Sequence, residues 1–328
     1  MDVELVRSLR GTRARKRDEL LALCGLVPDG EAEETCLVWD GEELCATGAR
    51  VGNLLKFIAV SPRRQGEGLL ATLISALRQS AFSAGEEHLF LYTKPENRLL
   101  FADLFFYPVA ETDKVLLMED QREGIASFLE SLALPPFEGV TGAAVMNCNP
   151  FTLGHRYLVE EAKRRCDRLL LFVLSEDKSE FSAGDRMEMV RRGVADLEGV
   201  TVLPTGPYLI SSATFPTYFL KDRDGAAEVQ CLLDIDIFCR YFAPRFGITR
   251  RFVGQEPFSP MTARYNESLK EQLPLRGIEL FEIPRREVDG TAVSASAVRR
   301  ALAAGDKETV RSTVPPTTLD YLQTLGLI

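Results

Sequence analysis

The chain has 328 residues, 45% of them hydrophobic and 27% charged, with a formal net charge of −9. That length exceeds the usual single core and predicts two domains, while no apolar run approaches the ~20 residues of a membrane span. The acidic balance excludes a protein that wraps nucleic acid, which needs clustered Lys and Arg; the one basic run, RARKRDE at 13–19, turns acidic at once and has no aromatic platform beside it.

Charges interrupt every apolar stretch of MDVELVRSLRGTRARKRDELLALCGL, so no secretory signal is read and a cytoplasmic protein is expected. The seven cysteines contain no C-x-x-C pair, which predicts reduced thiols rather than a disulfide framework or a metal site. A helix is predicted from about 12 to 24, then a hairpin in which TCLVWD and LCATGARV flank the turn DGEE. LLKFIAV (54–60) reads as a buried strand closed by Pro62. In GLLATLISALRQSAFSAG, Leu69, Leu70, Thr72, Leu73 and Leu77 share one helical face and Gly85 stops the helix. HLFLYT, opened by a structural His88, is the next strand, RLLFADLFF a short helix, and VAETDKVLLM a last strand. EGIASFLESLAL reads as a connecting helix, and the prolines and glycine of PPFEGV mark a boundary. The expected division is therefore 1–132, a linker at 133–138, and 139–328.

Beyond Thr141 the pattern changes: GAAVMN, RLLLFVL, VTVLP, RRFVG and IELFEIP are short β-rich runs separated by helical stretches. Such alternation predicts parallel strands with helical crossovers, an α/β fold that binds ligands at the carboxyl ends of its strands. The first run ends in NPFTLGHRY, where Pro150 stops the strand and Gly154 permits close approach to the backbone. A helix starting there offers free N–H groups to an anion, and the side chains of Thr152 and His155 add two donors. After the last run, TAVSASAVRRAL offers Ser294 as a helix cap, Ser296 in the first turn and Arg299 on the same side. A cap needs neither the second serine nor the arginine, whereas a triphosphate uses both. Lys178 and Arg186, after the second strand in SEDKSEFSAGDR, are basic side chains able to close over phosphate or carboxylate, with Asp185 capping the next helix.

Thr152-x-Gly154-His155 and the run from Ser294 to Arg299, in this order, resemble the paired motifs of the nucleotidyltransferase superfamily, with Val293 where isoleucine is usual and Ala295 where serine is usual. The stretches NPFTLGHRYLVEEA, SEDKSEFSAGDRMEMVRRGV, SSATFPTYFLKD, RFVGQEPFSPMTARYN and EIPRREVDGTAVSASAVR narrow the resemblance to the citrate lyase ligase family. That resemblance implies a Rossmann-like nucleotidyltransferase domain that turns acetate and ATP, with Mg²⁺, into acetyl-adenylate and pyrophosphate. The acetyl group then passes to the prosthetic thiol of the citrate lyase acyl carrier protein. It also implies roles: Thr152 and His155 on the reacting phosphates, Ser294, Ser296 and Arg299 on the β and γ groups, and Asn149, Phe151, Gly154, Gly254, Gln255 and Glu256 around the nucleotide. Cys148 tempts an acetyl-thioester, but an adenylate already activates acetate and a small strand-end residue suffices there.

In the front domain, AVSPRRQGEGLLATLI resembles the acyl-CoA-binding turn of GNAT-type acyltransferases, with Gln65, Gly66 and Gly68 in place and Leu70 where a small residue is usual. A GNAT-like α+β domain that docks the carrier's CoA-derived group is the expectation, beside a purely structural one. Two other chemistries stay open on the same motifs: an acetate-dependent tRNA-modifying ligase, and an adenylyltransferase acting on a small phosphate ester.

Overall fold

The computed structural model describes all residues except 31, 177–178, 210–216, 219–225, 257–258, 286 and 289–290. Contacts divide the chain into two compact units, Met1–Ser127 with Pro216–Leu233, and Phe128–Phe215 with Asp234–Ile328.

The first unit contains β1 (Asp2–Val6), α1 (Gly11–Leu23), β2 (Glu34–Asp40), β3 (Glu43–Val51), β4 (Leu54–Val60), α2 (Leu69–Ser83), β5 (Phe90–Thr93), α3 (Arg98–Ala102), β6 (Tyr107–Glu111) and β7 (Leu116–Glu119). Its seven strands lie in the order β1-β2-β3-β4-β5-β7-β6. Every pairing is antiparallel except β4 with β5. Leu69, Leu73, Ile74, Leu77 and Ala81 form the buried stripe of α2, and a Cβ at Gly48 of β3 would stand only 3.0 Å from Leu77. The helix can lie that close because the strand carries no side chain there. This is the expected GNAT-like α+β arrangement.

VAETDKVLLM is not one strand but the hairpin β6–β7. Thr112 Oγ1 accepts the N–H groups of Lys114 (3.3 Å) and Val115 (3.1 Å), closing a turn at the polar residues that a buried strand would have to desolvate. His88 is structural, its Nε2 2.8 Å from the buried Glu119 carboxylate.

Residues 217–218 belong to this unit through specific bonds. Tyr218 Oη donates to Tyr92 O (2.9 Å), Val27 N donates to Tyr218 O (2.9 Å), and Asp29 accepts from Tyr218 N (3.0 Å) while pairing with Lys56 (2.5 Å).

α4 (Gly124–Ser131) carries the first boundary, and the second unit continues with β8 (Thr141–Met146), α5 (Leu153–Lys163), β9 (Arg168–Val173), α6 (Ala183–Gly193) and β10 (Val200–Pro204). α7 (Ala226–Ile237), α8 (Ala243–Phe246), β11 (Ile248–Gly254), α9 (Pro260–Gln272) and β12 (Glu279–Ile283) follow. The chain then forms a two-strand pair, β13 (Glu287–Val288) with β14 (Thr291–Ala292), and three helices, α10 (Ala295–Ala304), α11 (Lys307–Thr313) and α12 (Pro316–Thr324). Five strands form a wholly parallel sheet in the order β10-β9-β8-β11-β12, so the order reverses at β8/β11. Alternation sends Ala144, Leu169, Leu171 and Phe252 into a core with Val159, Val190, Val298 and Val310. The opposite face sets Phe172 against Phe242 at 5.3 Å. The stretch expected as a linker, 133–138, falls within this unit, where Arg168 donates to Pro135 O (3.1 Å) and lies 4.6 Å over the Phe137 ring. No helix among the described residues is long and apolar enough to cross a membrane.

Candidate functional site: a donor cradle at two helix ends

β8 stops at Met146 and the chain turns through Asn149 and Pro150 into α5. Thr152 caps that helix: its Oγ1 accepts His155 N (3.4 Å), while Thr152 N donates to His155 Nδ1 (3.1 Å). This capping box has a chemical consequence. With Nδ1 used as an acceptor, a neutral ring must carry its proton on Nε2, leaving that N–H as an outward donor. Removal from water pushes the His155 pKa down to about 4, and the Arg285 guanidinium adds to the effect. The imidazole is therefore neutral at pH 7, although part of its surface is open to solvent.

The second motif meets the first. Ser294 caps α10 by accepting Ala297 N (3.1 Å). Arg299, one turn on, donates through Nη1 to Asn149 O (2.6 Å) and through Nη2 to Ser296 Oγ (3.2 Å). A Cβ on Gly154 would lie 3.3 Å from Val293 O, so the two helix N-termini stand side by side and glycine makes the approach possible. Thr152, Gly154, His155, Ser294, Ser296 and Arg299 thus converge from segments about 140 residues apart in sequence, and two helix ends with these donors are able to meet an anion.

At the end of β11, Gly254 O accepts Asn266 Nδ2 (3.0 Å), and Gln255 N donates to Ile283 O (2.8 Å). Gln255 is exposed, and its carbonyl accepts Arg285 Nε (2.9 Å), while Arg285 Nη2 pairs with Glu256. Glu256 also accepts Ser259 N (3.1 Å), so its carboxylate is spent on holding two loops together. The sequence reading missed Arg285. Its signal was present: Pro284 ends β12 at the edge where ligands gather, and an arginine follows at once.

Several expected positions take another role. Arg186 is no mobile arm: it is fully buried, and its guanidinium donates to Phe181 O (3.2 Å), Asn147 O (3.1 Å), Leu174 O (2.8 Å) and Glu176 O. So many carbonyls around one cation make it a clamp on the ends of β8 and β9. Phe151 is completely buried, wedged against Gly193, where a Cβ would meet its ring at 2.4 Å. Its ring centroid lies 5.8 Å from that of His155 in a stacked arrangement, so it supports the imidazole. Ser182, not Asp185, caps α6. Lys178 lies outside the described residues. Asn149 is buried, its Oδ1 accepting Phe181 N (3.2 Å). Cys148 is buried as well, and burial drives its thiol pKa far above the ordinary range, which suits a packing residue and not a nucleophile.

In the first unit, Gln65, Gly66 and Gly68 line a cavity of about 600 Å³ together with Ile58, Tyr92 and Tyr218. β4 and β5 pair only at Leu54–Phe90 and Leu55–Leu91, and the cavity opens where they part.

A parallel sheet with paired motifs at its switch point, in a chain that also carries a GNAT-like unit, has the α/β fold of the Rossmann-like nucleotidyltransferase class. The family profile described as "Citrate lyase ligase C-terminal domain" matches residues 141–322. A [Citrate [pro-3S]-lyase] ligase from Klebsiella pneumoniae is 41% identical over 94% of this chain and 92% of that protein. Its counterpart from Escherichia coli is 40% identical over 90% and 86%. The solved structure of Escherichia coli ElaA is 15% identical over 37% of this chain and 99% of that one, with a TM-score of 0.33. The chain belongs to the citrate lyase ligase family, whose activity is that of a ligase acting on citrate lyase.

Proposed function

We propose that this ligase acetylates the prosthetic-group thiol of the citrate lyase acyl carrier protein through an acetyl-adenylate, using ATP that arrives with Mg²⁺ on its phosphates. A carboxylate oxygen of acetate attacks the α-phosphorus, the bond to pyrophosphate breaks, and the carrier's thiolate then takes the acetyl group and releases AMP. In both steps charge builds on oxygen, so the protein's task is to position reactants and meet that charge. His155 would donate through Nε2–H and Thr152 would hold that ring. Ser294 and Ser296, with the N–H groups of two helix ends, would take the terminal phosphates alongside Arg299. Gln255 would border the nucleoside.

The observation that carries this reading is the Arg299–Asn149 bond at 2.6 Å, which ties the second motif to the loop of the first and makes one cradle from two helix ends. The 600 Å³ cavity beside Gly66 and Gly68 is assigned to the carrier's CoA-derived arm, a size within the usual ligand range. Incubation with ATP, Mg²⁺, acetate and deacetylated carrier should yield AMP, pyrophosphate and thioester in equal amounts. A dinucleotide product, or acetylation of tRNA in place of the carrier, would refute it.

A further inference from the structure

β11 carries a charge where its neighbours carry hydrocarbon. Arg251 pairs across the sheet with Ala143 of β8 and Leu280 of β12, and it lies on the face opposite Phe252. It is 2% exposed, its guanidinium is 4.3 Å over the Phe238 ring, and its Nε and Nη1 have no hydrogen-bond partner. The contrast with Arg186 is instructive. Both arginines are buried, but Arg186 saturates its donors on carbonyls, as a structural cation must. Arg251 leaves two donors empty, and a buried donor without a partner calls for a ligand or water.

The surroundings select the ligand. Asp234 is buried and accepts Tyr265 Oη at 2.5 Å, and the next residue, Asn266, bonds Gly254 O. This group therefore flanks the carboxyl end of β11, the edge that also bears the cradle. Burial lifts the Asp234 pKa to about 6, against the lowering pull of Tyr265 and Arg251, while Glu176 raises it further. Two carboxyl groups nearby would repel a multiply charged phosphate. The open Nε and Nη1 are two donors of the kind a carboxylate accepts, and Phe238 offers an apolar wall to a short hydrocarbon.

We propose that Arg251 binds the carboxylate of the small acid substrate, with Phe238 as the wall beside it and Tyr265–Asp234 as its polar border. This rests on the adenylate reading above and names the acid subsite of that reaction. One acetate oxygen stays on the guanidinium while the other forms the bond to the α-phosphorus as the pyrophosphate bond breaks.

The test is acetate-dependent exchange of pyrophosphate into ATP by the full chain, with KM measured separately for acetate and ATP. In Arg251→Met, the acetate KM should rise about tenfold or more while the ATP KM stays within about twofold, and Arg251→Lys should recover part of the loss. In the wild-type protein, acetate should raise the melting temperature above a chloride control and acetamide should not, a reading that needs no folded variant. Absence of any acetate-dependent exchange in the wild type would overturn the adenylate reading itself. Exchange with an unchanged acetate KM in both variants, or equal stabilisation by acetate and acetamide, would overturn the assignment of Arg251 alone.

Discussion

α2 in the first unit begins at Gly68, which sits at φ +77° and makes no side-chain cap bond, whereas α5 in the second begins at Thr152, locked into a reciprocal capping box with His155. Both turns present N–H groups at a helix start. Only the second adds side-chain donors of fixed direction, namely His155 Nε2–H and, from the neighbouring helix end, Arg299. Backbone N–H groups at a helix start fix where an anion sits, and aimed side-chain donors add a direction matched to developing charge. Oriented side chains can bind the transition state better than the ground state. On the proposed function, this difference gives holding to the first unit and chemistry to the second.

Mutations that break the comparison should follow that division. His155→Ala removes the Nε2–H donor of the proposed site and should lower the rate of acetate-dependent pyrophosphate exchange about a hundredfold, with the ATP KM little changed. Arg186→Met should instead cost about 3 kcal/mol of stability, read as a lower urea midpoint, because several buried carbonyls lose one shared cation. Were Arg186 a phosphate-closing arm, kinetics would suffer and stability would not.

Gly154→Ala places a methyl 3.3 Å from Val293 O, prising the two helix ends apart; the ATP KM should rise about tenfold. By contrast Gly68→Glu in the first unit should leave exchange intact and raise only the KM for the carrier, by several-fold. An equal loss in exchange would mean that the front turn takes part in adenylation. Cys148→Ser should keep acetylation within about twofold of wild type.

The smallest signal is a titration. With a folded pKa near 4 against an ordinary 6.5, His155 stays neutral where an unfolded chain takes up a proton. Stability should thus fall as pH drops from 6.5 to 4 and level off below, while the His155 share of activity holds down to about pH 5. The chain has only two histidines, so an NMR titration assigned with a His88→Asn variant can read it directly. A midpoint near 6.5 would remove the argument for a neutral donor.

Much of this was legible in the residues. All five strands of the second sheet follow from their β-rich runs, because a parallel strand covered on both faces is mostly apolar. Ser294 was legible as a cap, and the pairing of the Thr152–His155 and Ser294–Arg299 segments was legible because helix starts draw on a short list of side chains at fixed spacing. The polar ETDK segment marked a turn that apolar periodicity on either side disguised as one strand. The roles of Arg186, inside the polar helical run SAGDRMEMVRR, and Arg251, at the start of RFVG, could not be read from sequence, since what sets them apart is the partners each guanidinium meets.

Local rules thus determined which segments are strands and helices and where a polyanion can meet helix ends, because hydrogen-bond periodicity and capping act over a few residues. Tertiary structure alone decided that Arg299 reaches Asn149, that residues near Tyr218 return to the first unit, and that one buried arginine is saturated while another keeps two donors open. Each of these is a contact between residues distant in sequence. Its energy depends on what burial removes from water and which groups arrive to replace it, and no short stretch of chain contains that information.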